Sequence, residues 1–208
     1  MPKIVDHDAR RTEIAETVAR LIARDGLDRV TLQSIASARS CTPGMLLHYF
    51  DNKEHVLLSA LDWCERRHQH RIKQMVGTRR GASALLQRLL AALPLEDAVA
   101  LEWRISLQFW SHVPFDPGIR RYYENRNWAT FQQGTEDLRE AMRRGELVDE
   151  RSPERIMQEL TSLVTGLGVS AIYNPRAYTP AVQRALLEEA LQRLRRRDPA
   201  PSPSPPQA

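Results

Sequence analysis

The chain has 208 residues, of which 42% are hydrophobic and 27% charged, with a formal net charge of +4 and a pI of about 9.4. This composition is typical of a globular protein that buries a core, and the charge is compatible with nucleic-acid binding without requiring it. Two cysteines are too few for a disulfide framework. No apolar run approaches the ~18 residues of a membrane span, and Asp6 and Asp8 do not fit a secretory signal. We therefore expect a cytoplasmic protein.

Apolar residues recur at helical spacing along most of the chain, and no segment favours a β-strand. Gly26 and Gly145 are placed to end helices, whereas Ser152-Pro153 and Thr179-Pro180 are placed to begin them. The sequence predicts an all-α fold of about nine helices. It is divided into a three-helix domain over 1–52, a larger helical domain over 53–196 and a disordered Pro/Ser-rich tail over 197–208.

The segment 31–53 predicts two short helices joined by a tight turn. Leu32 and Ile35 give the first helix an apolar side, and Thr42 with Pro43 supplies an N-cap and a first helical residue for the second. A helix-turn-helix of this size presents its second helix to the major groove of DNA. The same spacing also allows an ordinary αα-corner inside a helical core.

The predicted helix 96–112 is apolar on two faces, which indicates burial on both sides. One face carries Leu101, Ile105 and Phe109. The other carries Val99, Trp103, Leu107 and Trp110. The second face either lines a cavity or packs inside the core, in which case the helix 96–112 is a central core helix without a cavity.

The last two predicted helices carry continuous apolar stripes, and we interpret them as a dimer interface. Two helices from each subunit form a four-helix bundle with two-fold symmetry. The alternative is that both stripes pack within one subunit. The residues predicted for the interface are Leu160, Val164, Leu167, Gly168, Ala171, Val182, Leu186 and Ala190.

Over residues 10–60 the chain resembles the DNA-binding domain of the TetR family of bacterial transcriptional repressors. The residues that carry the resemblance are Ile14, Ala15, Gly26, Val30, Thr31, Leu32, Ile35, Ala36, Thr42, Gly44, Leu46, His48, Tyr49, Phe50 and Lys53. Two positions depart from the family pattern: Ser40 replaces a glycine of the turn, and Leu47 replaces a tyrosine that often contacts phosphate.

The remainder of the chain is similar, more distantly, to the C-terminal domain of the subgroup that contains the choline-pathway repressor. The matching residues are Phe109, Trp110, Trp128 and the segments 117–123, 145–147 and 163–167. This resemblance implies a ligand-binding and dimerisation domain.

The resemblance also implies roles for individual residues. The groove-facing side of the recognition helix consists of Thr42, Pro43, Gly44, Met45 and His48. Thr31, Tyr49 and Lys53 contact phosphates. Because this helix offers no Arg, Asn or Gln for bidentate base contacts, Gln33 and Arg39 are the remaining candidates for base reading.

An aromatic-lined effector pocket is predicted from Trp103, Leu107, Trp110, Tyr123 and Trp128. Such a pocket suits an organic cation through cation–π attraction, with Glu102 or Glu124 as a negative charge. The alternative for these aromatic residues is that they only fill the core.

Two other classes of function compete with DNA binding. A metalloenzyme is suggested by Cys64, His68 and His70, but no fourth ligand is evident, and no phosphate-binding loop or nucleophile elbow occurs. A helical domain for protein interaction is the other. We predict a homodimeric, ligand-responsive repressor of a palindromic double-stranded DNA operator, with no cofactor and no enzymatic activity; an activator or a regulator without an effector is the alternative.

Overall fold

The computed structural model describes residues 7–195, apart from the side chains of 125–128, and this part of the chain forms nine α-helices without a strand. Their bounds are α1 His7–Asp25, α2 Leu32–Ala38, α3 Pro43–Tyr49, α4 Lys53–Val76, α5 Gly81–Ala92, α6 Asp97–Trp110, α7 Pro117–Arg143, α8 Pro153–Tyr173 and α9 Pro180–Arg193. The predicted all-α class and number of helices are confirmed. The predicted disordered tail, 197–208, lies outside the described residues.

Side-chain caps define most helix starts. The hydroxyls of Thr42 and Thr179 and the amide oxygen of Asn52 each accept a hydrogen bond from a backbone N–H of the first turn. Such caps satisfy donors that have no partner inside the helix. Gly26 and Gly145, with φ of +86° and +68°, allow the chain to leave α1 and α7 in the positive-φ region.

Two hydrophobic cores stabilise the molecule. The first joins α1, α2, α3 and the N-terminal half of α4 to Ile105 and Phe109 of α6 and to Ile119 of α7. The second joins α5, the C-terminal half of α7, α8 and α9. Because α4 contributes to the first core, the predicted domain boundary at residues 52 and 53 lies within continuously packed structure. None of the helices described in residues 7–195 has the length and apolarity needed to cross a membrane.

Candidate nucleic-acid interface and ligand cavity

The first candidate site is the exposed side of α3. Ile35 of α2 and Leu46 of α3 are fully buried in the first core, which fixes the angle between the two helices. The turn between them passes through Ser40 with φ of +51°, the only positive value at a non-glycine residue in the described part of the chain. An αα-corner inside a core buries both sides of each helix, whereas α3 leaves one side in solvent. This geometry favours a helix-turn-helix.

The residues predicted to face the groove lie on or beside this exposed side. Gly44, Met45 and His48 are exposed, and so is Thr42, which caps α3 by accepting from the N–H of Met45 at 3.3 Å. Pro43 is partly buried at the first helical position. The helix therefore presents its first two turns outward.

The residues predicted to contact phosphates lie at the start of α2, the end of α3 and the start of α4. The half-buried ring of Tyr49 packs edge-on against His48, with ring centroids 5.3 Å apart, and is 4.6 Å from the ring of His7. Thr31 and Lys53 are exposed at the N-termini of α2 and α4. Gln33, predicted to read bases, is exposed in the first turn of α2.

Arg39 does not fit its predicted role in base reading. Its guanidinium donates to the Glu13 carbonyl at 3.0 Å, to the Glu13 carboxylate at 2.7 Å and to the Thr17 hydroxyl at 3.1 Å. Only 18% of the side chain is exposed. Hydrogen bonds from Arg10 and then from Arg39 lower the pKa of the Glu13 carboxyl. Arg39 thus joins the end of α2 to α1, and both terminal nitrogens of its guanidinium donate within the protein.

The second candidate site is a cavity of about 800 Å³ between α4, α6, α7 and α8. Trp103, Trp110 and Tyr123, all predicted for the effector pocket, line it. Their rings meet edge to face, with centroids 5.9 Å apart for the two tryptophans and 6.5 Å apart for Trp110 and Tyr123. Leu107 is not among the residues that line the cavity, and the side chain of Trp128 lies outside the described residues.

The two faces of α6 have different surroundings. Ile105 and Phe109 are buried in the first core, whereas Val99, Trp103 and Trp110 face the cavity. The alternative in which these aromatic side chains only fill the core is therefore wrong for the two tryptophans. Phe109, on the opposite face of α6, is a core residue.

The carboxylate in the cavity wall is already paired. Glu102, whose side chain is 7% exposed, accepts from Arg71 Nη2 at 2.8 Å, from Arg71 Nη1 at 3.2 Å and from Arg67 Nε at 2.9 Å. The Arg67 guanidinium also lies over the Trp63 ring, 4.7 Å from its centroid. Glu124, the other predicted negative charge, is exposed and does not line the cavity. The cavity wall therefore carries no unpaired carboxylate among the described residues.

Comparisons with known proteins identify the family of both parts of the chain. Residues 14–60 match the model for bacterial regulatory proteins of the tetR family, and residues 81–196 match the model for the C-terminal domain of BetI-type transcriptional repressors. The second match alone covers more than half of the chain. This chain belongs to the TetR family.

Similar proteins cover nearly all of this TetR-family regulator. It is 25% identical to the HTH-type transcriptional regulator PksA of Bacillus subtilis (strain 168), over 90% of this chain and 91% of that protein. It is 22% identical to the HTH-type transcriptional regulator BetI of Vibrio campbellii, over 93% and 96% of the two chains.

Solved structures are also similar. A putative transcriptional regulator from Saccharomonospora viridis, crystallised in complex with choline, has a TM-score of 0.80 and 25% identity, covering 89% of this chain and 96% of its own. A putative TetR-family regulator from Rhodococcus sp. shares the fold, with a TM-score of 0.80 and 19% identity over 90% and 100% of the two chains.

The residues predicted for a dimer interface separate into two groups in this TetR-family fold. Val182 and Leu186 of α9 are 38% and 37% exposed, and Ala190 is partly buried. The five residues of α8 are buried within the single subunit, because its apolar stripe packs against α5, α6 and α9. They are Leu160, Val164, Leu167, Gly168 and Ala171, and they are therefore core residues of the subunit.

The other face of α8 carries none of the residues predicted for the dimer interface. Ser162, Gly166 and Tyr173 are exposed there, and no atom lies within 4 Å of a Cβ built on Gly166. Small residues such as Gly166 and Ser170 keep this part of α8 thin, and the sequence predicts that another helix can approach closely there.

The suggested metal ligands do not form a site. Cys64 is buried in the first core, His68 lines the cavity, and His70 is exposed. Within the described part of the chain, no group of three or more His, Cys, Asp or Glu side chains is arranged to hold a metal ion.

Proposed function

We propose that this TetR-family regulator is a homodimeric repressor that binds a palindromic double-stranded DNA operator and releases it when a small organic molecule enters the cavity. In this proposal residues 1–52 bind DNA, and 53–196 bind the effector and form the dimer. The observation that carries it is that α4 and α6 each connect the cavity wall to the core of the helix-turn-helix unit.

The DNA contacts follow from exposure on one side of the N-terminal unit. The outer side of α3 enters the major groove and is flanked by Tyr49 and by Lys53 at the start of α4. The Tyr49 hydroxyl and the Lys53 ammonium donate to phosphates, which position the protein on the duplex without reading its sequence. Thr31 and Gln33, at the start of α2, provide further contacts at the groove edge.

We propose an organic cation as the effector. The S. viridis regulator, similar in fold and 25% identical, was crystallised with choline. In this chain Trp103, Trp110 and Tyr123 line the cavity. Because Glu102 is already neutralised by Arg67 and Arg71, the aromatic rings supply most of the attraction for a cation.

Coupling between the cavity and the DNA-binding unit runs through two continuous helices. Helix α4 carries Arg71 in the cavity wall and Lys53 at its other end. Helix α6 carries Trp110 in the wall and Phe109 in the first core. A ligand that displaces Trp110 or Arg71 shifts α6 or α4, both of which pack against α1, and α1 in turn supports α3. This changes the separation of the two recognition helices in a dimer.

The dimer proposal rests on the solvent-exposed faces of α8 and α9. Val182 and Leu186 give α9 an exposed apolar stripe, and Gly166 leaves α8 open to close approach. Leu186→Glu is expected to convert the dimer to monomers in multi-angle light scattering. Phe115→Glu is the matched control, because Phe115 is 87% exposed in the loop after α6.

A binding experiment tests the proposed function. Duplexes that the full-length protein retains are selected from a random pool, and their affinity is measured by gel shift against added salt. We expect a palindromic consensus, affinity that falls with salt, and weaker binding by Tyr49→Ala and Lys53→Ala on all sequences. Retention of no sequence above the random background would contradict DNA-specific regulation.

A second experiment tests the proposed effector class, with choline as the probe. We expect choline to release the selected DNA from the wild type, and Trp110→Ala to require a higher choline concentration. Release by neutral compounds but not by choline or other ammonium compounds would contradict the organic cation and leave the repressor assignment in place.

A further inference from the structure

The exposed side of α3 is largely apolar. Gly44, Met45, Leu47 and His48 are spaced so that they form one continuous surface on a helix, which we call the α3 patch. All four are exposed, and Met45 and Leu47 expose 52% and 45% of their surface. The helix contains no Arg, Lys, Asn or Gln, so His48 is the only polar side chain of the patch.

The orientation of the α3 patch is fixed by what lies behind it. Leu46, between the two exposed apolar residues in sequence, is fully buried, and Phe50 just after the helix is 5% exposed. The helix cannot rotate to bury Met45 or Leu47 without exposing Leu46. The two apolar side chains thus lie on either side of Gly44, where a Cβ would meet only the Thr42 hydroxyl, at 3.9 Å.

The chemistry of the major groove offers one apolar partner for such side chains. Guanine, adenine and cytosine present hydrogen-bond donors and acceptors there, whereas thymine also presents its C5-methyl group. Met45 and Leu47 have no side-chain donor for a base edge or for a phosphate. Burying them against a methyl group removes apolar surface of both partners from water.

We propose that this regulator reads its operator through thymine methyl groups, with Leu47 and Met45 as the residues that contact them. The inference rests on the proposed function and adds the base that the recognition helix selects. Gly44 and His48 lie one turn apart along the middle of the α3 patch, with Met45 on one side of them and Leu47 on the other. The two side chains therefore meet methyl groups at different base steps of each half-site. The Gly44 backbone, without a side chain, lets the helix approach closely enough for both contacts.

The test replaces thymine by uracil, which removes the C5-methyl group and leaves all hydrogen-bonding groups of the base in place. Each thymine of the selected duplex is replaced in turn, and the dissociation constant of the full-length protein is measured. We expect the affinity to fall about fourfold at one or two positions in each half-site, as removal of one buried methyl group implies. Thymines in the flanking DNA are expected to show no effect.

Variants then assign each methyl group to a residue. In Leu47→Ala the loss caused by uracil is expected to disappear at one of these positions, and in Met45→Ala at another, as in a double-mutant cycle. Both side chains are exposed, so truncation leaves the core intact. Phe115→Ala, an exposed apolar residue in the loop after α6, is the matched control and is expected to keep every uracil effect.

The possible results separate this inference from the proposed function. A selected duplex that binds equally well with uracil at every thymine position overturns methyl recognition but leaves a sequence-specific regulator. Uracil effects that persist unchanged in both alanine variants assign the methyl contacts to other residues and also overturn the inference. Failure to select any duplex overturns the proposed function itself.

Discussion

The indole of Trp103 lies directly against the backbone of Gly168. A Cβ built on this glycine would be 2.2 Å from the ring, far inside van der Waals contact. The ring is held in place by a hydrogen bond of 2.8 Å from its N–H to the Ala92 carbonyl. Gly168 therefore creates the space in which α6 can place a tryptophan in the cavity wall.

Gly168→Ala should destabilise the protein, although alanine is the better helix former by about 1 kcal/mol. The new methyl group meets an anchored ring, and overpacking of this kind costs about 1–3 kcal/mol. Because Trp103 lines the cavity, its displacement should also weaken binding of an effector. Urea denaturation and ligand titration measure the two effects.

The control for this prediction is the double variant Gly168→Ala with Trp103→Leu. If the clash with the ring is the cause, the double variant loses less stability than the sum of the single variants. Equal stability of Gly168→Ala and the wild type would show that the ring moves aside freely, contrary to the prediction.

Gly44→Ala should separate stability from DNA binding. A Cβ at this exposed position meets only the Thr42 hydroxyl, at 3.9 Å, so the folded protein has room for it. The helix gains up to about 1 kcal/mol from the better helix former. The same methyl group stands between α3 and the bases, so we expect a higher unfolding temperature together with weaker operator binding. A variant that binds the operator as tightly as the wild type would argue against α3 as the groove-facing helix.

Features that depend on residues close together in the sequence could be predicted, whereas contacts between residues far apart in the sequence could not. Caps such as Thr42 with Pro43 act within one helical turn, and they placed α3 correctly. The partner of a long side chain is not local: Arg39 turns to Glu13, 26 residues earlier, and this could not be predicted from its neighbours. Likewise, periodicity identified the apolar stripe of α8 but not whether that stripe faces its own subunit or another.

Ser40→Gly should stabilise the protein. Ser40 has φ of +51°, a region that costs a residue with a Cβ about 1–2 kcal/mol and glycine nothing. Part of the gain is offset by the greater freedom of glycine in the unfolded chain, so a net increase of about 0.5–1 kcal/mol is expected. Ser37→Gly, an exposed change inside α2, is the matched control and should cost about 0.5–1 kcal/mol. Thermal denaturation of the two variants should show a higher unfolding temperature for Ser40→Gly and a lower one for Ser37→Gly.

Arg39→Ala should reduce stability rather than remove a base contact. The variant loses three hydrogen bonds that join α2 to α1, and bonds to charged groups contribute about 1.5–3 kcal/mol. We expect a lower midpoint of urea unfolding. The ranking of affinities for operators with single base changes should remain that of the wild type. A changed base preference at wild-type stability would restore the base-reading role.

The pH dependence of stability should reveal the contact between Arg39 and Glu13 through the titration of Glu13. The pKa of Glu13 is lowered in the folded protein by hydrogen bonds from Arg10 and Arg39. Its contribution is therefore present above the ordinary carboxyl pKa of 4.5 and is lost as the pH falls through the lowered value. Glu13→Gln should flatten the loss of stability in this acid range. If Glu13→Gln lost stability at acid pH as steeply as the wild type, the contribution assigned to Glu13 would be contradicted.

The two arginines that pair with Glu102 should differ in their importance. Arg71 makes two hydrogen bonds to the carboxylate, and its side chain is 18% exposed, whereas Arg67 makes one and is 43% exposed. Removing a partner from a buried ion pair costs about 3–5 kcal/mol, but exposed pairs contribute about 0–1 kcal/mol. Arg71→Ala should therefore destabilise the protein strongly, and Arg67→Ala should have little effect in urea denaturation. Equal losses of stability in the two variants would contradict the prediction, because they would mean that solvent exposure does not weaken the Arg67 pair.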